Sequence, residues 1–237
     1  MLLSILIPVF NEERTLAIIV ARVLAVEGDK EIIIVDDCST DGTAQTILAL
    51  QNEYGPIIRS YRHETNQGKG GALRTGLAQV KGEIIIIQDA DLEYHPEDYP
   101  SALRLINEGW ADAVYGSRFS GPHRVFLYWH YLANKFLTLL VNISCDSILS
   151  DMETGFKMVR TDVFKSLAIE SYKFDFEVEI TIKLLRARYR VYEMPITYTG
   201  RNYDEGKKIT WRDGFHALYA IIKWSWLCKS RAPKLAK

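Results

Sequence analysis

Four consecutive isoleucines at residues 84–87 constrain the fold of this chain more than any other feature. They are β-branched and apolar, which predicts a strand covered on both faces, as in the parallel sheet of an α/β domain. The strand leads directly into Asp89 and Asp91. Ligands of open α/β sheets bind beyond the carboxyl ends of the strands, where carboxylate oxygens suit Mg²⁺ or Mn²⁺. The pattern predicts a divalent-cation site with Glu93 as a third acid; the alternative is that both aspartates are only turn and cap residues.

Strands and helices alternate through the first half of the chain, which predicts a doubly wound, mostly parallel sheet. The second half is predicted to be richer in large apolar helices. We find no internal repeat and no linker in the 237 residues, so we expect one compact domain. The predicted strands are residues 2–9, 31–35, 57–61, 84–87, 111–115, 157–160 and 190–196. The main predicted helices begin at Asn11, near Ala72 and at Pro96, and cover residues 126–143, 176–188 and 211–227.

Composition excludes several classes of protein. The chain is 48% hydrophobic and 25% charged, with a net charge of −1, so no basic field indicates a nucleic-acid partner. Its three cysteines include no Cys-x-x-Cys pair, which favours a reduced, cytosol-facing compartment over a disulfide framework. The first apolar run has no basic leader, and no stretch of about 18 apolar residues occurs. We therefore expect neither a signal peptide nor a membrane span.

Three polar segments follow predicted strands and should meet in one crevice, because the carboxyl ends of parallel strands share one edge of the sheet. They are residues 8–12, the pair Asp36 and Asp37, and residues 89–91. An acid after the second strand can accept hydrogen bonds from a nucleobase or a ribose. The glycine-rich segment 68–71 adds a cation, Lys69, for phosphates, although a solvated loop lysine is the alternative. The glycine spacing matches neither the dinucleotide-binding motif nor the P-loop.

With these residues the chain resembles family 2 glycosyltransferases, specifically the branch similar to dolichol- or polyprenol-phosphate mannosyltransferases. The resemblance implies an α/β GT-A (nucleotide-diphospho-sugar transferase) fold, with a mostly parallel central sheet flanked by helices and with C-terminal acceptor-side helices. It also implies inverting transfer of a hexose from a GDP- or UDP-hexose to a polyprenyl phosphate. Matching segments occur in the family's order: SILIPVFNEERTL, EIIIVDDCSTDGT, NQGKGGALRTGL, IIIIQDADLEYHPEDYP, AVYGSRF, SDMETGFKMVRTDVF and ITYTGRNYDEGKKITWRDGFHAL.

The resemblance assigns roles residue by residue. Phe10 stands where an aromatic ring usually packs on the base, and Glu93 stands where the mannosyltransferases often carry Gln. The implied cofactor is Mg²⁺ or Mn²⁺, held by Asp89, Asp91 and Glu93. The implied nucleotide-binding residues are Pro8, Phe10, Glu12, Asp37, Lys69, Asp89 and Ala90.

Cations on later loops are the predicted acceptor-side residues, because they would neutralise an acceptor phosphate and the departing diphosphate. A phosphate nucleophile is already anionic and needs no general base. A hydroxyl acceptor would need one, from Asp151, Glu153, Asp175 or Glu177. Glu177 is also expected to act as a helix first-turn acid. The predicted catalytic residues are Asp91, Arg118, Arg201 and Lys208. Lys207 is a further candidate next to Lys208, and the alternative for these two lysines is that they are only an exposed charged pair.

The aromatic helices at residues 126–143 and 211–227 carry lysines, which favours peripheral contact with anionic lipid. Core packing or a dimer face is the alternative. We expect a cytoplasmic protein, peripheral on the cytoplasmic face of the membrane. The expected single domain, residues 1–237, has a nucleotide-sugar-binding half (1–118), an acceptor-side half (119–228) and a basic tail (229–237). Two other functions stay open: transfer to a glycan or small-molecule hydroxyl, and an inactive nucleotide-binding scaffold.

Overall fold

The computed structural model describes residues 1–125, 127–172, 175–201 and 211–227. Within these ranges, seven strands form one sheet in the order β3-β2-β1-β4-β6-β5-β7. β6 is antiparallel to both of its neighbours, and all other pairs are parallel, so the expected mostly parallel sheet is confirmed. The strands are β1 (Leu3–Val9), β2 (Lys30–Asp36), β3 (Ile58–Arg62), β4 (Ile84–Ile87), β5 (Ala113–Ser117), β6 (Lys157–Arg160) and β7 (Val191–Pro195).

Helices flank the sheet on both faces. Short 3-10 helices occur at Gly55–Ile57 and Pro96–Asp98, and one π-helical turn at Lys223–Leu227 continues the last α-helix. The α-helices are α1 (Leu16–Ala25), α2 (Thr43–Tyr54), α3 (Lys69–Leu77), α4 (Tyr99–Asn107), α5 (Tyr128–Cys145), α6 (Thr161–Ser166), α7 (Asp175–Arg186) and α8 (Trp211–Ile222).

The isoleucines of β4 lie at the centre of the sheet, and none is more than 2% exposed. Successive residues point to opposite faces. Ile84 and Ile86 therefore join the apolar layer under α1, α2 and α4, whereas Ile85 and Ile87 join the layer under α3, α6 and α7. This confirms the prediction of a strand covered on both faces.

A third apolar cluster lies outside the sheet, where α5 and α8 pack on α7. It contains Val141 of α5, Val178 and Ile182 of α7, and Ile221 and Trp224 at the end of the chain's last helical segment. The apolar residues in the second half therefore build an extra helical layer, and this layer stands beside the carboxyl ends of the central strands.

The predicted start of the first helix at Asn11 is wrong, because α1 begins at Leu16. Asn11 has a positive φ of 55°, and its Oδ1 accepts a hydrogen bond of 2.8 Å from the backbone N–H of Thr40. Glu13 Oε2 similarly accepts a bond of 2.7 Å from the N–H of Gly42. These polar side chains join the loop after β1 to the loop after β2 instead of starting a helix.

Candidate functional site

A cavity of about 920 Å³ opens where β1, β2 and β4 end, with α5 and α8 on its far side. The structure brings together every predicted site residue that it describes, from segments spread over almost two hundred positions. Lys207 and Lys208 lie outside the described residues. The predicted residues that line the cavity are Pro8, Phe10, Glu12, Asp37, Lys69, Asp89, Ala90, Asp91, Glu93, Arg118 and Arg201.

Asp37 lines the cavity, and its carboxylate is already hydrogen-bonded to the protein. Oδ1 accepts a hydrogen bond of 2.8 Å from the N–H of Gln67, and Oδ2 accepts one of 2.7 Å from the N–H of Gly68. His63 Nδ1 lies 2.7 Å from Oδ1, and its Nε2 lies 2.8 Å from the Thr75 hydroxyl. Asp37 therefore holds the loop before α3 in place.

We expect Asp37→Asn to lower both stability and nucleotide affinity. The two carboxylate oxygens each face a backbone N–H donor, and an amide presents only one oxygen, so one donor loses its partner. A hydrogen bond to a charged group is worth about 1.5–3 kcal/mol, and we expect the free energy of unfolding to fall by about that amount. Denaturant titration and calorimetry with UDP and GDP measure both effects.

Asp98→Asn is the matched control for this change. Asp98 Oδ2 accepts one bond of 2.9 Å from the N–H of Thr197, which an asparagine carbonyl can keep. If Asp37→Asn were as stable as this control and bound nucleotide normally, the loop-holding role of Asp37 would be wrong.

The glycine-rich segment before and within α3 makes room for another part of the chain. A Cβ on Gly70 would lie 2.7 Å from the carbonyl oxygen of Ser171, and the N–H of Gly71 donates a 3.0 Å hydrogen bond to the carbonyl of Tyr172. These glycines therefore allow close backbone packing. Lys69 is the first residue of α3, and its side chain lines the cavity and pairs with Asp89.

The carboxylates that follow β4 share two cations. Lys69 Nζ lies 2.9 Å from Asp89, and Arg201 Nη2 lies 2.8 Å from Asp91. Arg201 also contacts Glu93, through its Nε at 3.3 Å and its backbone N–H at 2.9 Å. Burial, with Asp89 and Glu93 close by, raises the pKa of Asp91 to about 7. The cluster therefore carries more negative charge than its two cations compensate.

A divalent cation fits this donor set, since Asp89 and Asp91 offer hard oxygens at a point of excess negative charge. Glu93 fits less well, because Tyr198 donates a 2.7 Å hydrogen bond to its Oε2 while Arg201 holds its Oε1. Among the described residues, no three acidic, His or Cys side chains form a preassembled metal site. The metal-binding roles of Asp89, Asp91 and Glu93 thus stay predictions, with the first two best supported.

Arg118 also lines the cavity, and it is held by a buried carboxylate. Its Nε and Nη2 each donate a 2.7 Å hydrogen bond to Asp151, which is fully buried. Burial alone would lower the pKa of Arg118, but Asp151 more than offsets this and raises it well above its ordinary value. The guanidinium also lies near the rings of Phe119 and Tyr198. Arg118 is therefore a fixed cation, and Asp151 is not available as a general base.

Glu177 is also engaged by cations, although it does stand in the first turn of α7 as expected. Its Oε2 lies 2.6 Å from Lys157 Nζ, and its Oε1 lies 3.1 Å from Lys69 Nζ. Asp175 is not among the cavity-lining residues. Of the four acids predicted as alternative bases, Glu153 alone lines the cavity without a described ion pair.

Sequence reasoning missed several residues of the site. The Tyr94 hydroxyl accepts a 2.8 Å hydrogen bond from the N–H of Gly155, and its ring packs 5.3 Å from that of Tyr198. Lys157 is a fully buried cation inside a strand. None of these stands in a spacing that indicates its partner, because each contact joins segments far apart in sequence.

Helix α5 presents two different surfaces. One surface lines the cavity, through residues such as Tyr131 and Leu137, while the opposite one exposes large apolar side chains. None of the described helices combines the length and the apolar character needed to cross a membrane. The exposed residues of the opposite surface include Tyr128 (67%), Leu132, Phe136, Leu139 and Ile143 (70%), whereas Trp129 (75%) is exposed and also lines the cavity.

Comparison with known proteins identifies the family. The Glycosyl transferase family 2 profile matches residues 4–168. The chain is 28% identical to a dolichol-phosphate mannosyltransferase of Pyrococcus furiosus over 94% of its own length and 64% of the relative's. It is 29% identical to an undecaprenyl-phosphate mannosyltransferase of Micrococcus luteus over 85% of each chain.

A solved structure shares the fold. Glucosyl-3-phosphoglycerate synthase of Mycobacterium tuberculosis, in complex with Mn²⁺, UDP and glucosyl-3-phosphoglycerate, superposes with a TM-score of 0.69 at 20% identity. The match covers 94% of this chain and 79% of that one. The expected GT-A fold and the expected family are confirmed, since the family profile covers well over half of the sequence and the mostly parallel sheet is the one observed. The chain belongs to glycosyl transferase family 2.

Proposed function

We propose that this protein is an inverting glycosyltransferase that moves a hexose from a nucleotide-diphosphate sugar to a polyprenyl phosphate. One observation carries the proposal: a single cavity holds the carboxylates that follow β4 together with two arginines, Arg118 and Arg201. The names of the two mannosyltransferase relatives support a polyprenyl phosphate as the acceptor. A GDP-hexose and a UDP-hexose remain equal candidates as the donor.

In the proposed reaction, different residues of the cavity would bind the nucleotide, the metal ion and the acceptor phosphate. Pro8 and Phe10 would pack against the nucleotide, with Phe10 38% exposed and accessible to a base. Asp89 and Asp91 would hold Mg²⁺ or Mn²⁺, which supplies positive charge to the donor diphosphate when bound. The use of Mn²⁺ by the structural relative named above supports this cofactor. Arg118, kept charged and fixed by Asp151, would position the acceptor phosphate.

A phosphate oxygen of the acceptor would then attack the anomeric carbon of the hexose, from the side opposite the diphosphate. The bond from that carbon to the diphosphate oxygen breaks, and the nucleoside diphosphate leaves, so the configuration inverts. No proton has to be removed from an ionised phosphate. This agrees with a cavity in which Asp151 and Glu177 are both committed to cations.

The exposed surface of α5 supports contact with a membrane. Aromatic and aliphatic side chains on an amphipathic helix favour the interface between water and lipid, where a polyprenyl phosphate presents its headgroup. We propose that this surface, with Tyr128 and Ile143, rests on the cytoplasmic face of the membrane. The division into a nucleotide-sugar half, residues 1–118, and an acceptor-side half, residues 119–228, belongs to the same proposal.

An acceptor panel tests the proposed function. UDP-glucose and GDP-mannose are each incubated with Mg²⁺ or Mn²⁺ and with either a short polyprenyl phosphate or the matching polyprenol, and products are identified by mass. We expect transfer of the hexose to the polyprenyl phosphate, which gives a hexosyl phosphate lipid, and no transfer to the polyprenol. Equal transfer to the polyprenol would favour the hydroxyl-acceptor enzyme, for which Glu153 is the described candidate base. No transfer from any donor would favour the inactive scaffold.

We expect Arg201→Lys to lower kcat for transfer to polyprenyl phosphate about 10- to 100-fold. Arginine can form two parallel hydrogen bonds to a phosphate, and lysine cannot reproduce that geometry. Hydrolysis of the donor by water should fall less, because water brings no phosphate to the cavity. Arg190→Lys is the matched control, since Arg190 binds Asp112 through two nitrogens at the amino ends of β5 and β7. Equal losses of transfer and hydrolysis would contradict the acceptor-phosphate role.

A further inference from the structure

Glu153 is the one cavity-lining carboxylate in the described part of the chain with no hydrogen bond or ion pair. Its Oε1 is closed off from solvent and has no hydrogen-bond partner there. Buried polar groups are almost always hydrogen-bonded, so an exception inside a binding cavity indicates a partner that arrives with a ligand. The other carboxylates lining the cavity, all of which have partners, are Glu12, Asp37, Asp89, Asp91, Glu93 and Glu177.

The protein itself cannot supply the missing partner from the nearest cations. A lysine ammonium has three N–H donors. Lys157 directs them to the carbonyl oxygens of Met152 and Thr154 and to Glu177. Arg118 is held by Asp151. Burial raises the pKa of Glu153 to about 7, although the nearby charges of Lys157 and Arg118 oppose this rise.

The position of Glu153 indicates which part of a ligand it faces. It belongs to the turn between α5 and β6, and that turn packs directly on the carboxylates after β4: a Cβ on Gly155 would lie 2.6 Å from Asp89 Oδ2. The turn also carries Asp151, which fixes Arg118 on the acceptor side. The turn that carries Glu153 thus contacts both Asp89 and Arg118, and in the proposed reaction the transferred hexose sits between these two groups.

The chemistry of the group excludes the other parts of the substrates. A carboxylate would repel the diphosphate and the acceptor phosphate, and it offers nothing to an apolar lipid chain. A sugar hydroxyl, in contrast, can donate to an ionised carboxylate or accept from a protonated one. A hydroxyl is therefore the substrate group that Glu153 can bind in either state.

We propose that Glu153 hydrogen-bonds a ring hydroxyl of the donor hexose and makes the cavity select sugars that carry that hydroxyl. This inference rests on the proposed function, because it assumes a nucleotide-sugar donor. A site that binds a substrate hydroxyl rejects analogues without it, since the buried polar group is then left unpaired. Glu153 is in this sense a residue that determines specificity for the sugar.

Calorimetry on wild type, Glu153→Ala and Glu153→Gln tests the proposal. UDP-glucose, GDP-mannose, UDP and GDP are titrated in turn with Mn²⁺ present. We expect Glu153→Ala to lower the affinity for the nucleotide-sugar that wild type binds by about 10- to 100-fold. The affinity for the matching nucleoside diphosphate should not change. Glu153→Gln should lose less affinity, because an amide keeps a hydrogen-bonding oxygen. Melting temperatures should not fall, because no bond within the described protein is removed.

Three results would overturn the inference. Equal weakening of the nucleotide-sugar and the nucleoside diphosphate would indicate a general distortion of the cavity. Unchanged affinity for both, with transfer to a polyprenol abolished in Glu153→Gln, would make Glu153 a general base. Unchanged affinity with unchanged transfer would leave Glu153 without a role in sugar binding. Failure of wild type to bind either nucleotide-sugar would instead reject the donor class, and with it the proposed function.

Discussion

Replacing Asp91 with alanine is expected to reduce hexose transfer by at least about 100-fold while leaving the protein folded. In the proposed reaction, Asp91 helps hold the divalent cation that neutralises the donor diphosphate, and removing such charge stabilisation typically costs 10²–10³-fold in rate. The carboxylate is poorly stabilised by the protein alone, because burial, Asp89 and Glu93 raise its pKa to about 7. Its removal leaves Arg201 paired with Glu93. We therefore expect the free energy of unfolding to change by less than about 1 kcal/mol.

The measurement combines initial rates at several Mg²⁺ and Mn²⁺ concentrations with denaturant unfolding of the same variant. Asp112→Ala is the control, because Asp112 also pairs with an arginine, at 2.7 Å, but lies at the opposite edge of the sheet. Its activity should stay within a few-fold of wild type. A folded Asp91→Ala protein with full turnover, or wild type active in excess EDTA, would contradict the metal-binding role.

Local patterns in the sequence predicted the strands well, because strand formation in a covered sheet depends mainly on continuous apolar stretches. β6 was predicted with its observed bounds, Lys157–Arg160, and the isoleucine strand β4 likewise. The cap of the first helix was misplaced by four residues, at Asn11 instead of Thr15, since Asn11 has the side chain of a good cap but bonds across to Thr40 in another loop. Such a contact depends on the sheet that brings the two loops together.

In the candidate site, too, the features set by the local sequence could be predicted, and those set by contacts between distant segments could not. Residues directly after strands, such as Asp89 and Asp91, could be predicted because the strand end itself places them. The partners that determine their charge could not be predicted. Lys69 reaches Asp89 only because α3 packs on β1, the neighbour of β4 in the sheet, and Arg201 reaches Asp91 from 110 residues away. His63, which contacts Asp37, stands in no recognisable motif. Sequence patterns therefore predict the acids better than the network that controls them.

The buried pair of Glu177 and Lys157 shows the importance of that network. Lys157, in β6, is fully buried, and Glu177, in α7, is 3% exposed. Their charged atoms lie 2.6 Å apart, and Lys69 completes the group at 3.1 Å from Glu177. A lone buried ammonium is very costly, so Glu177 supplies the counter-charge for Lys157 and shares Lys69 with Asp89.

Glu177→Gln should lower the free energy of unfolding by about 3–5 kcal/mol, the usual cost of breaking a buried ion pair by removing one partner. A glutamine leaves Lys157 and Lys69 without their shared counter-charge. Denaturant unfolding at neutral pH measures the loss. Asp162→Asn is the control, because Asp162 pairs with Arg160 at 3.2 Å on an exposed surface, where an ion pair is worth about 1 kcal/mol or less.

The pH dependence separates this ion pair from a simple packing effect. Burial by itself would raise the pKa of Glu177, but Lys157 and Lys69 more than offset this and hold the pKa below its ordinary value of 4.5. A lowered folded-state pKa contributes stability that is fully present above the unfolded pKa and is lost as the pH falls through the folded one. The difference in unfolding free energy between wild type and Glu177→Gln should therefore narrow progressively as the pH falls below about 4.5. If this difference in unfolding free energy stayed the same down to pH 3, the glutamine would act through packing. The charge of Glu177 would then not stabilise the two lysines.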